Sequence, residues 1–388
     1  MNEPINLFDP KHFEAVRRPL DEAETMPPWV YTSDEFYRRE VDRIFMKVWN
    51  FMGHVDQVPN PGDYVALEFV GVPFILCRDE NGKLRAFANT CRHRGSKVAI
   101  GSGNTKEFMC PYHGWCYGLN GALTATVDMN DTKGFKHEDY GLRPIKVDTW
   151  GGFVFVNFDP DCESLQSYLG DLPDNLASHR LEDMANIRVA EFELNHNWKL
   201  FVENAKESYH IAVVHRDTID QVVSVRSADY AVSDSAGQYC TTFCTHDGSM
   251  ALLKSDPGFP AIESLEGRYR EGTYAPMIYP MTYLACTIDT AWFLQLLPMG
   301  PSRTKLIHGA CFPKSRLERP DFEELAANYY KRWDRTIMED IVAGDHQQAG
   351  IASPFALPGR LCFREPLVHE IDNWILDRVL DEPTSANG

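Results

Sequence analysis

No stretch of this 388-residue chain approaches the roughly 20 consecutive apolar residues that a bilayer-spanning helix needs. The amino-terminal MNEPINLFDPKHFEAVRRPL lacks the unbroken apolar core of a secretory signal, so a cytoplasmic protein is expected. Positive charge is scarce as well: 38 Lys and Arg against 56 Asp and Glu leave a formal net charge of −18, and no basic patch stands out. Nucleic acid and anionic membrane surfaces would be repelled and are not expected as partners, whereas a cationic protein or substrate would be attracted. No strand is followed by G-x-G-x-x-G, so any nicotinamide chemistry must belong to another protein. Internal repeats and low-complexity tracts are absent. The 10 cysteines form no compact framework of pairs, and in a reducing compartment grouped cysteines are better explained as metal ligands than as disulfides.

What the chain does have is an ordinary globular composition, 44% hydrophobic and 24% charged, over a length that suits two domains. Residues 34–48, DEFYRREVDRIFMKV, read as an amphipathic helix capped by Ser33 or Asp34. From about Phe51 to Asp159 the patterns are those of small antiparallel sheets: VALEF, VPFILCR, LRAFAN and GFVFVNF, with turns at Asp79–Gly82 and Leu119–Gly121. Strands continue in TYLACTI and WFLQLLPM, and the carboxyl end is helical. The expected fold is α+β, with a small antiparallel-β domain and a larger domain built on a central antiparallel sheet flanked by helices. The expected divisions are a helical segment 1–48 packing on the larger domain, a β domain 49–160 and a catalytic domain 161–388.

Two matching segments carry metal-ligand chemistry. CRHRG offers Cys91 and His93, and CPYHGW offers Cys110 and His113, with 16 residues between His93 and Cys110. Two Cys and two His could close a zinc tetrahedron. Zinc motifs more often pair cysteine with cysteine, however. Here each half is mixed and each is followed by a glycine, Gly95 or Gly114, which suits two similar loops meeting tip to tip. A two-iron, two-sulfur cluster with two cysteines on one iron and two histidines on the other fits better.

A second cluster lies in ENAKESYHIAVVH, Glu203–His215. At about 100° per residue Glu207 and His210 share a helix face, but His215 lies about 140° round from His210. A regular helix cannot aim both imidazoles at one point, so either the helix ends near Val214 or it holds a π-type widening. Ordinary polar roles for both histidines stay open on these residues alone.

The two patterns together, C-x-H-x16-C-x2-H and then E-x2-H-x4-H, resemble the oxygenase component, or alpha subunit, of the Rieske non-haem iron oxygenases. Asn197, Trp198 and Lys199 match the NWK that precedes the iron helix in that family. The resemblance covers nearly the whole chain and implies a Rieske cluster on Cys91, His93, Cys110 and His113, and a mononuclear ferrous ion on His210, His215 and a distant carboxylate. It implies that the iron helix is interrupted between the two histidines. Glu207 becomes a bridge, not a ligand, accepting a hydrogen bond from a cluster histidine of a neighbouring subunit, His113, within a head-to-tail homotrimer. Many relatives have Asp there; Glu resembles the alpha-only branch that includes quaternary-amine demethylases and hydroxylases.

For the third iron ligand, Asp321–Gly350 offers Asp334, Glu339, Asp340 and Asp345. With Phe322 at zero, Leu325, Tyr329 and Trp333 define an inward stripe to which Asp340 returns, while Glu339 at about −100°, Asp334 at about 120° and Asp345 at about 140° point towards the flanks. An acid on an apolar stripe is costly unless paired or metal-bound, which leaves a buried ion pair as the alternative. The family pattern also points to Asp340, within Glu339, Asp340 and Gln347 or Gln348.

By that resemblance the protein is a terminal oxygenase that uses O2 and electrons from a separate reductase or ferredoxin, with NAD(P)H and flavin only on that partner, to hydroxylate or oxidatively demethylate a small organic substrate. A cis-dihydroxylating dioxygenase acting on aromatic rings is the alternative within the class, and a Rieske electron-transfer protein without catalytic iron is the alternative outside it. Tyr209, Tyr279, Tyr283, Trp292 and Phe293 are candidates either for a cage around a cationic head group or for plain core packing. His196 lies outside the matched pattern.

Overall fold

The structure, a computed structural model, describes residues 6–222 and 228–380; the outer ends of the expected segments 1–48 and 161–388 therefore lie outside the described residues. The chain divides into two compact units, one of Met46–Leu165 and one of Met1–Phe45 together with Gln166–Gly388.

Ten strands make the smaller unit: β1 (Asn50–His54), β2 (Asp63–Phe69), β3 (Val72–Arg78), β4 (Leu84–Ala88), β5 (Ser102–Asn104), β6 (Glu107–Met109), β7 (Cys116–Gly118), β8 (Leu123–Ala125), β9 (Pro144–Trp150) and β10 (Phe153–Asn157). They form a seven-stranded sheet in the order β1-β10-β9-β4-β3-β2-β5 and a three-stranded sheet β6-β7-β8, every pairing antiparallel. The four strand patterns legible in the sequence fall on β2, β3, β4 and β10. At the Asp79 turn the buried carboxylate accepts the backbone N–H groups of Asn81 and Lys83, each at 2.9 Å, and Gly82 takes a φ of 77° that a side chain would resist.

The larger unit is built on a second seven-stranded antiparallel sheet: β11 (Met184–Leu194), β12 (Ala228–Val232), β13 (Tyr239–Thr245), β14 (Gly272–Ile278), β15 (Thr282–Cys286), β16 (Ala291–Gly300) and β17 (Arg303–Pro313). Strands β12 to β17 run as a meander and β11 adds beyond β17. Its first helix, α1 (Asp34–Glu40), starts where the Ser33 side chain accepts the Phe36 N–H, and it opens into a π-type turn over Val41–Phe45. Short helices α2 (Leu165–Leu169) and α3 (Leu172–Asn175) follow β10 in sequence; α4 (Trp198–Ala205), α5 (Ile211–Val214), α6 (Phe322–Ile351) and α7 (Pro366–Val379) complete the set.

Helix α4 is buried along most of its length, from Trp198 through Glu203, and it packs against α6. It is also pinned by charge: Lys199 and Glu40 of α1, both fully buried, form an ion pair at 2.6 Å, and the Trp198 Nε1–H donates to the same carboxylate at 3.2 Å. Burial pushes the Glu40 carboxyl up, against the pull of Lys199 and Trp198. Asn197, first residue of the NWK segment, is the cap of α4, its side chain accepting the Lys199 N–H at 2.9 Å.

Candidate metal centres

In the smaller unit the two Cys–His segments fold into loops of one geometry. Cys91 N–H donates to the Ser96 carbonyl and Cys110 N–H to the Trp115 carbonyl, both at 2.8 Å; Gly95 N–H returns to Cys91 and Gly114 N–H to Cys110. The glycines adopt φ of 79° and 67°, which closes each loop without a Cβ clash. Buried Asn89 fastens the first loop, accepting from Val98 and Ala99 N–H and donating to the Ala99 carbonyl. Both thiols lie in the core cluster with Phe108, Trp115 and Tyr117, whose hydroxyl sits 3.2 Å from Cys91 Sγ. The imidazoles lie on the outer side, with ring centres 4.5 Å apart, and Trp115 stacks on His93 at 4.9 Å.

Sulfur is thus gathered on the buried side and nitrogen on the outer side. Burial opposes a thiolate at Cys110, yet the N–H of Tyr112, the Cys91 thiol and the N–H of His113 outweigh it and hold the group below an ordinary thiol. The donor chemistry fits a two-iron cluster with unlike ends. Among the described residues, the set of His, Cys, Asp or Glu donors drawn within 4.8 Å of one another, as a single ion needs, is a different one: His210, His215 and Asp340.

That set is assembled by α4, α5 and α6. Helix α4 stops at Ala205, and the break runs through Lys206–Tyr209, before His210; a single turn, α5, then separates His210 from His215. The expected interruption between the histidines is therefore displaced to their amino-terminal side. The reason is local: the Glu207 carboxylate folds back to accept the Tyr209 and His210 N–H groups and faces His210 Nδ1 at 2.5 Å, which starts a new turn at His210. His215 Nε2 lies 2.9 Å and His210 Nε2 3.7 Å from Asp340 Oδ1. Asn204 of α4 donates to that same oxygen at 2.9 Å. Burial works against a charged Asp340, but His215, His210 and Asn204 lower its pKa overall. Burial likewise opposes protonated His215, and Asp340 and Glu339 raise it.

The other three candidate acids of α6 are used elsewhere. Asp334 pairs with Arg188 at 2.7 Å, and Asp345 accepts from Asn195 and lies 2.7 Å from His196 Nδ1. Glu339, which helical geometry assigns to a flank, instead accepts at 2.8 Å from His215 Nδ1 and at 2.7 Å from Thr218 Oγ1. Its role was not legible, because nothing in the sequence places Thr218 and His215 against that flank. Two imidazole nitrogens and one carboxylate oxygen fit a ferrous ion with open positions.

The open side faces a cavity. Its walls include Phe201, Tyr230, Tyr283, Trp292 and Trp333. Of the five aromatics singled out in the sequence, Tyr283 and Trp292 line it; Tyr209 is exposed, Tyr279 packs against Trp374, and Phe293 is buried in the sheet.

Comparison with known proteins agrees with both centres. Residues 48–136 match the Rieske [2Fe-2S] domain, and residues 180–381 match the ring hydroxylating alpha subunit (catalytic domain). Choline monooxygenase of Atriplex hortensis is 30% identical over 368 residues, covering 92% of this chain and 78% of that protein. The carnitine monooxygenase oxygenase subunit of Acinetobacter pittii is 32% identical over 205 residues, 52% of this chain and 55% of that protein. Among solved structures, a quaternary ammonium Rieske monooxygenase superposes with a TM-score of 0.80 at 22% identity, covering 92% of this chain and 96% of its own, and a naphthalene 1,2-dioxygenase from Rhodococcus with 0.75 at 21%, covering 92% and 95%. The α+β fold is theirs. The chain belongs to the ring-hydroxylating alpha-subunit family: it is a Rieske-type non-haem iron oxygenase, a terminal component with a Rieske cluster and a mononuclear iron that takes its electrons from a separate donor.

Proposed function

We propose that this oxygenase hydroxylates or oxidatively demethylates a small quaternary ammonium compound. The observation that carries the reading is the convergence of His210, His215 and Asp340 on a cavity walled by five aromatic rings, whose electron-rich faces attract a cation that has shed its water. The named relatives act on choline and carnitine, which share such a head group.

In this reading Cys91 and Cys110 with His93 and His113 would hold the cluster, and His210, His215 and Asp340 would hold the ferrous ion. When bound, these groups supply one-electron transfer and the reduction of dioxygen. The chain's own residues do the positioning. Glu339 accepts a hydrogen bond from His215 Nδ1 and Glu207 one from His210 Nδ1, which fixes both rings with Nε2 turned towards Asp340. Asn204 holds the Asp340 oxygen between them, and the aromatic walls exclude water from the reacting carbon.

A head-to-tail homotrimer belongs to the same reading, with Glu207 accepting from His113 of a neighbouring copy. It is supported by the imidazoles of His93 and His113, which lie together on the outer side of their loops. A cytoplasmic location is supported by the 10 cysteines, none of them in a disulfide. The proposed divisions stay at 1–48, 49–160 and 161–388. The test is substrate-dependent O2 uptake with a surrogate reductase across choline, carnitine, glycine betaine, aromatic acids and naphthalene, with products identified. A diol from an aromatic ring, and no uptake with any ammonium compound, would overturn the reading. For the bridge, Glu207→Gln should keep both iron centres yet slow cluster reoxidation in a single turnover; an unchanged rate rejects it.

A further inference from the structure

The cavity wall holds a cation that forms no close ion pair among the described residues, Asp340 and Glu339 acting on it only at a distance. Arg332 of α6 is 4% exposed and lines the same cavity as His210, His215 and Asp340. One end of its guanidinium, Nη1, donates to Thr336 Oγ1 at 3.1 Å, its carbon lies 5.6 Å from the centre of the Trp292 ring, and Nη2 has no partner. Among the described residues no carboxylate lies within 4.0 Å of it. The nearby acids are otherwise engaged: Asp340 by His215 and Asn204, Glu339 by His215, Thr218 and the exposed Arg335. A second buried cation, Lys206, donates its Nζ only to the Ala275 carbonyl at 2.7 Å and lies 5.6 Å from the centre of the Tyr283 ring. Ala275 and Tyr283 are themselves cavity walls.

A buried, half-satisfied guanidinium is costly unless something supplies the missing acceptor. Its forked geometry suits a planar two-oxygen anion better than water. We propose that Arg332 anchors a carboxylate carried by the substrate, so that the compound oxidised is an acid and not a neutral alcohol or hydrocarbon. Arg332 and Asp340 are eight residues apart on one helix, about 12 Å of rise, so the anchored carboxylate and the carbon presented to His210, His215 and Asp340 are joined by a short chain and do not coincide. Resting on the quaternary ammonium reading, this makes the substrate a zwitterion, its cationic end among the aromatic rings and its anionic end at Arg332.

The test is equilibrium binding to the iron-loaded protein under anaerobic conditions, followed by quenching of Trp292 and Trp333 fluorescence and confirmed by calorimetry. The probes are matched pairs: glycine betaine against choline, γ-butyrobetaine against its amide, and phenylacetate against phenylacetamide. The wild-type protein is expected to prefer the carboxylated member by about tenfold or more, and Arg332→Met to lose that preference while Arg332→Lys keeps part of it. Equal affinity within every pair for the wild-type protein overturns the proposal, and needs no variant. A preference that survives intact in Arg332→Met also overturns it. Binding of phenylacetate through Arg332 with no ammonium compound bound would sustain the anchor and reject the quaternary ammonium reading, so the two fail separately.

Discussion

Replacing Glu339 by alanine should weaken ferrous iron binding without touching a proposed ligand. The carboxylate receives His215 Nδ1 at 2.8 Å and Thr218 Oγ1 at 2.7 Å, and the His215 ring that it holds is buried, 1% exposed. Loss of a carboxylate behind a ligand histidine typically reduces metal affinity 10- to 100-fold, or about 1.4–2.8 kcal/mol. An unsatisfied buried donor costs about 1–3 kcal/mol, which gives the same range by a separate route. The 3.2 Å contact from Arg335 to Glu339 is an exposed i,i+4 pair worth about 0.3–0.5 kcal/mol and cannot account for such a loss. Competition with a ferrous chelator is the assay, with Arg335→Ala as the control of unchanged affinity and Glu339→Gln falling between. If Glu339→Ala folds normally and holds iron as tightly as the wild type, the positioning role is wrong.

Other perturbations reach the cluster, the core and the acid limit. Cys110→Ser should abolish the visible absorption of the cluster and leave one iron per chain; retained Rieske absorption would reject Cys110 as a ligand. Glu40→Ala strands Lys199 in a fully buried site and should cost about 3–5 kcal/mol in urea unfolding, most of it recovered when Lys199→Met is added. A double variant as unstable as the two single losses summed would contradict this. Burial depresses the pKa of His308 to about 3 and of His179 to about 4, so between pH 6.5 and those values the unfolded chain binds more protons. Their contribution is complete above about pH 6.5 and falls with acid, each by about 2 kcal/mol by pH 5. His308→Leu should flatten the fall in urea midpoint between pH 7 and 5, and an unchanged slope would refute the assignment.

The amino-acid sequence by itself determined the two donor patterns and most strand positions. Those depend on short-range constraints: a C-x-H or C-x2-H spacing places both donors on one turn, and alternation of Val65, Leu67 and Phe69 with the smaller or polar Ala66 and Glu68 fits the partly buried strand β2. It also singled out Asp340, because an acid at the angle of an apolar stripe stands out in a helix 30 residues long. Folding alone decided which flank of that helix is covered. Arg332 and Glu339 occupy one flank, at about −80° and −100° from Phe322, a face that periodicity assigns to solvent because their side chains are charged, while Thr336 at about −40° falls on the inward stripe itself. Glu339 meets His215 across 124 residues, and Asn204 meets Asp340 across 136. Hydrogen-bond partners so distant leave no local pattern: a buried polar group needs satisfaction, but only the packing of α4 and α5 against α6 determines by what. The break before His210 belongs with these, since Glu207 can satisfy the new turn only where the surrounding fold lets the chain leave the helix.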